Sequence, residues 1–190
     1  MRPLGTTPSQ TVGPFFGFAL PWADGAELVA PDDPAAIEIE GRVFDGEGAP
    51  VDDALVEIWQ ANRHGRYAHP EDARVELPLE DGFSGFGRCP TDAEGRFAFV
   101  TVKPGRVPGR DGRAQAPHLG VSVFARGLLK RVVTRLYFPD EHEANAADPV
   151  LASIEDPRAR STLVARQTAP GRLRFDVHLQ GPDETAFFAV

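Results

Sequence analysis

A single cysteine, Cys89, stands in a chain of 190 residues. It excludes an intramolecular disulfide, a multi-cysteine metal site and an iron–sulfur cluster. No apolar run approaches the ~20 residues that a membrane-spanning helix needs, so no membrane association is expected. There is no G-x-G-x-x-G, no phosphate-cradling loop and no H-E-x-x-H. Positive charge is not in excess either. The net charge is −8 and the pI about 5.1, which argues against nucleic acid or an anionic membrane as partner. The N-terminus carries prolines where a secretory signal has an apolar core, so a cytoplasmic location is expected.

What is present is an ordinary globular composition, 42% hydrophobic and 25% charged, at a length that suits one domain spanning residues 1–190. The 19 glycines and 18 prolines punctuate apolar runs without replacing them, as in a protein of many short strands. Residues 1–36 read as an extended arm. Its aromatics Phe15 and Phe16 either pack on the chain's own core or dock on another subunit. Strand patterns follow around Ile37–Val43, over Ala54–Gln60, over Arg96–Val102, and at 119–124 and 132–138. Over 172–180, Leu173, Phe175, Val177 and Leu179 alternate with polar residues. Asp92–Gly95 reads as a hairpin turn. Asp156-Pro157 opens a short helix as N-cap and first-turn proline, and residues 141–147 form a further turn. The expectation is an all-β antiparallel sandwich with long loops, an N-terminal arm and one or two short helices.

Charge is uneven. Lys103, Arg106, Arg110, Arg113, Arg126, Lys130, Arg131 and Arg135 share the stretch 103–135 with one acid, Asp111. Such a stretch either attracts a carboxylate ligand or an acidic partner, or is a solvated surface. Of the histidines, His142 and His178 read as solvated. His64 and His69 flank Gly65-Arg66-Tyr67, and His118 opens a strand. A His/Tyr cluster suits a hard transition metal only where folding gathers it.

Several segments, taken in order, resemble the intradiol ring-cleaving dioxygenases. They are Gly41-Arg42-Val43-Phe44-Asp45, Leu55-Val56-Glu57-Ile58-Trp59-Gln60-Ala61-Asn62, Gly65-Arg66-Tyr67, Phe86-Gly87-Arg88, Thr101-Val102-Lys103-Pro104-Gly105, Ala116-Pro117-His118 and Thr134-Arg135-Leu136-Tyr137-Phe138. The resemblance implies a β-sandwich and a ferric iron held by two tyrosines and two histidines. Carried over by motif, the tyrosine positions are Tyr67 and Val107, and the histidine positions are His118 and Gly120. Valine and glycine offer no donor, so this chain is expected to bind no iron and to have no catalytic residue of its own.

That loss, the arm TPSQTVGPFF, the segment Ser122–Gly127 and the ending ETAFF are similar to one subunit type within the family. It is the iron-free subunit of members built from two homologous chains that act on protocatechuate (3,4-dihydroxybenzoate) and O2. The resemblance implies a homologous β subunit as partner, with Fe(III) held by that chain. It assigns Thr11, Gly13, Pro14 and Arg126 of this chain to the wall of the shared substrate cleft. Two alternatives stand beside it: an independent metalloenzyme with an altered site around Tyr67 and His118, and a non-catalytic β-sandwich binding module.

Overall fold

The computed structural model describes Gly13 and residues 16–189. Among these residues eleven strands follow one another: β1 (Ala36–Phe44), β2 (Leu55–Trp59), β3 (Phe86–Pro90), β4 (Arg96–Val102), β5 (Val107–Pro108), β6 (Ala114–Gln115), β7 (His118–Phe124), β8 (Val132–Tyr137), β9 (Arg166–Ala169), β10 (Arg172–Arg174) and β11 (Val177–His178). One sheet is built on β1, with β4 antiparallel on one edge, β10 and β11 parallel on the other, and β9 beyond β10. The second has the order β3-β2-β7-β8 and is antiparallel throughout. β5 and β6 form a small ribbon of their own. The β-sandwich expected from the sequence is present, with β1 supplying its parallel pairings.

Period-2 alternation builds the core. Ile39, Val43, Phe97 and Phe99 of the first sheet meet Val56, Ile58, Val121, Val123 and Leu136 of the second. A fully buried aliphatic or aromatic side chain contributes about 1.5–3 kcal/mol, so this layer dominates the stability. The 172–180 pattern is interrupted. Leu173, Phe175 and Val177 are buried as the alternation requires, but β10 and β11 are separate. Between them the Asp176 carboxylate, not a main-chain carbonyl, accepts the Arg42 N–H at 3.0 Å.

The turn at Asp92–Gly95 differs from the hairpin expected. β3 pairs with β2, and β4 with β1, so the turn carries the chain from one sheet to the other. Asp92 Oδ1 accepts the N–H groups of Glu94 and Arg96, which closes a tight turn whatever sheet the flanking strands join.

Among the described residues there are four short helices: α1 (Phe16–Ala19), α2 (His142–Ala147), α3 (Pro149–Ser153) and α4 (Pro157–Ser161). α4 starts as the Asp156-Pro157 signal predicts, with Asp156 Oδ1 accepting the Arg158 N–H. Asp148-Pro149 starts α3 in the same way. Phe16 is buried in this chain; Phe15 lies outside the described residues. α2 and α3 cover the outer face of the second sheet at its β8 edge, where Tyr137, Ala116, Ala144, Leu151 and Leu163 form a second small core.

Candidate functional site

The loop that follows β2 is organised by Asn62. Its Oδ1 accepts the N–H groups of His64 and Arg66, both at 3.0 Å, and its Nδ2 donates to the Pro78 carbonyl. Its main-chain carbonyl accepts from Gly65 and from Gly105, both at 2.9 Å. Gly65 has a φ of +81°, and a Cβ there would overlap the Arg106 carbonyl. Only glycine lets the G-R-Y loop and the K-P-G turn lie this close. The two motifs, with 35 residues of chain between Tyr67 and Lys103, are thereby joined in space.

Tyr67 leaves this loop and stacks on Trp59, with ring centroids 5.9 Å apart and planes 6° from parallel. Burial raises its phenol above the ordinary range, opposed by the positive charges of Arg135 and Arg74. Trp59, Tyr67, His69, Asp72, Arg74 and Pro108 line an open cavity of about 590 Å³. Arg74 is committed within it: its Nε and Nη2 both bond to the Asp72 carboxylate, whose pKa those bonds hold well below the usual range.

Strand pairing gathers the rest. His118 lies opposite Tyr137, and Gly120 lies opposite Arg135 on one side and Trp59 on the other. Directly opposed residues share a sheet face, here the outer one. His118 is 7% exposed. Its Nδ1–H donates to the Ala116 carbonyl at 2.7 Å, which leaves Nε2 as the lone-pair nitrogen. Val107, on β5, is buried and paired with Gln115. Tyr137 is fully buried, and its hydroxyl donates to Asp148 Oδ1 at 3.2 Å.

The structure thus brings Tyr67, His118 and Gly120 together in one region. Four donors are needed there and two are present, beside a valine, a glycine and a guanidinium. Among the described residues no group of three or more His, Cys, Asp and Glu is placed to hold a metal. The residues do not fit ferric iron, which needs anionic donors to offset its charge.

Burial lowers the His118 pKa to about 4, aided by the charge of Arg135. The unfolded imidazole titrates near 6.5. Between those values the unfolded chain holds the extra proton, so the stability contributed by neutral His118 is complete above 6.5 and is lost as pH falls toward 4. Urea denaturation from pH 7 to 4.5 should cost the natural chain about 2–3 kcal/mol more than His118→Gln. Parallel pH profiles for the two chains would contradict this assignment.

Arg126 lies elsewhere. It follows β7, whose last residue Phe124 lies about 20 Å along the strand from His118. Its side chain is 72% exposed, with Nε 3.1 Å from Asp53 Oδ2 and Nη2 3.8 Å from Asp52 Oδ1. Within the rest of the basic stretch, Lys103 pairs with Asp140 and Glu141, and Arg113 with Asp111. Gly13 is half-buried with a φ of +69°; Thr11 and Pro14 lie outside the described residues. Arg135 is the residue that sequence reading missed, because only the pairing of β7 with β8 sets it against Gly120.

Comparison with known proteins agrees with this geometry. A family model described as "Dioxygenase" matches residues 12–181. The chain is 45% identical to the protocatechuate 3,4-dioxygenase alpha chain of Burkholderia cepacia over 206 aligned residues, covering 100% of each. It is 42% identical to the alpha chain of Pseudomonas putida, covering 97% of this chain and 96% of that one. The beta chain of Burkholderia cepacia is 42% identical over 78% of this chain and 66% of its own length. A dioxygenase domain from Streptomyces superposes with a TM-score of 0.58 at 28% identity, covering 93% of this chain and 99% of that one. The 3-chlorocatechol 1,2-dioxygenase of Rhodococcus opacus, with a TM-score of 0.62 at 22% identity over 90% of this chain and 71% of that one, shares the fold. With matched motifs, matched fold and full-length likeness in hand, the chain belongs to the intradiol dioxygenase family.

Proposed function

We propose that this chain is the iron-free α subunit of a hetero-oligomeric protocatechuate 3,4-dioxygenase and acts in the cytoplasm with a homologous β subunit. In that assembly it forms part of the cleft for O2-dependent intradiol cleavage of protocatechuate to 3-carboxy-cis,cis-muconate. The observation that carries the reading is the end-to-end 45% identity to an alpha chain. Val107 and Gly120 at two donor positions are in keeping with it. Fe(III) and the ring-opening chemistry belong to the partner.

Arg126, Gly13, Thr11 and Pro14 are the residues through which this chain meets the substrate. Arg126 suits a carboxylate because its fork matches two oxygens at once. Its exposed pairs with Asp52 and Asp53 are worth at most about 1 kcal/mol. They orient the guanidinium without committing it. The place of Arg126, exposed beyond the far end of β7 from His118, supports a role in a site that this chain completes at its edge.

The test is to express this chain alone and together with the beta-type chain of the same organism. Alone it should be colourless, iron-poor and inactive. The co-expressed pair should purify as one assembly, carry iron with a visible tyrosinate band, and consume O2 with protocatechuate. Stoichiometric iron and turnover in this chain alone would overturn the reading, as would a pair that does not associate.

A further inference from the structure

The outer face of the second sheet carries one row across three strands: Trp59 on β2, Gly120 on β7 and Arg135 on β8. Gly120 leaves room. A Cβ built there meets only the Trp59 carbonyl, at an ordinary 3.5 Å. A larger side chain is therefore not barred by packing at its base. The Arg135 side chain is half-buried beside this space. Its Nη1 donates to Tyr137 Oη at 3.2 Å and to Gln115 Oε1 at 3.4 Å. Both partners are neutral, so no carboxylate within these bonds offsets the guanidinium charge. That charge also reaches Tyr67, Tyr137 and His118. It favours ionisation of both phenols and opposes protonation of the imidazole.

Burial acts on all three more strongly, and at Tyr137 and His118 the charge of Asp148 opposes that of Arg135. We propose that the Arg135 guanidinium is the resident cation of this site, standing where the donor positions of the family converge, and that it excludes a metal ion even when the missing donors are restored. The physical reason is Coulombic. At a given distance a fixed positive charge repels a trivalent ion three times as strongly as a monovalent one. Arginine stays protonated at any working pH, so the repulsion cannot be relieved by loss of a proton. Absence of iron from this chain then has two causes: lost donors and an installed charge.

The experiment compares two variants of the full chain, Val107→Tyr/Gly120→His and the same pair with Arg135→Gln added. Each is loaded with ferric nitrilotriacetate, and bound iron and the visible tyrosinate band are read. The triple variant should bind iron at least tenfold more tightly than the double variant. A double variant that loads as well as the triple, or a triple variant that loads no better, overturns the proposal. Neither result bears on the α-subunit reading, which stands or falls on assembly and turnover with the partner chain.

Discussion

Replacing Asp148 with alanine should cost this chain about 3–5 kcal/mol, a large part of the roughly 5–15 kcal/mol that holds a domain folded. The carboxylate is completely buried and is shared among four donors. Oδ1 accepts the N–H groups of Val150 and Leu151 at the start of α3, and the Tyr137 hydroxyl at 3.2 Å. Oδ2 accepts the Ala116 N–H at 2.8 Å. One side chain therefore caps α3, holds the segment leading into β7, and anchors the tyrosine facing His118. Truncation leaves buried N–H groups without acceptors, and each such orphan costs about 1–3 kcal/mol. Asp148→Asn should lose less, because asparagine also caps a helix, although its amide must present N–H₂ to the Ala116 N–H or give up the cap. Denaturant unfolding of the two variants measures this directly. A loss below about 1 kcal/mol for Asp148→Ala would show that water replaces the carboxylate.

Arg126→Ala should raise the KM for protocatechuate in the assembled enzyme by about 10–150-fold, the equivalent of roughly 1.5–3 kcal/mol of charge-assisted hydrogen bonding. Plain catechol, which has no carboxylate, should be nearly unaffected. The natural chain already shows what else the arginine does: it leans on Asp53 and Asp52 at an exposed edge. Loss of those contacts is worth little, so folding of the chain should be unchanged. If Arg126 instead binds an acidic group of the partner, both substrates should suffer equally and the assembly should dissociate at higher concentration. Steady-state kinetics with both substrates, at a concentration where assembly is verified, separates the two outcomes.

Much of the fold was legible before any coordinates. Alternation identified β2, because a half-buried strand writes its two faces into residues i and i+2, and β-branched and aromatic content identified β7 and β8. Asp156-Pro157 marked α4 because capping and the first-turn proline act within a few residues. The motifs that end in Tyr67 and His118, and the absent donors at Val107 and Gly120, were visible as residue identities at fixed spacing from K-P-G and A-P-H. Family and fold class rest on such local information.

Pairing is not local, and the readings that failed or were missed all depended on it. The Asp92–Gly95 turn has hairpin chemistry, yet it joins strands of different sheets, because β3 and β4 find better partners in β2 and β1. Nothing local in the sequence marks Asp148 as buried. Folding buries it under four donors, two from α3 and one each from β8 and the segment leading into β7. Arg126 and Arg135 belong to one basic stretch. The direction of β7 and its register with β8 send the first to an exposed edge and set the second beside Gly120. A charge's neighbours across a sheet are set by which strands pair and in what register. That choice is made by burial of both faces of the sandwich at once, and no window of the chain contains it.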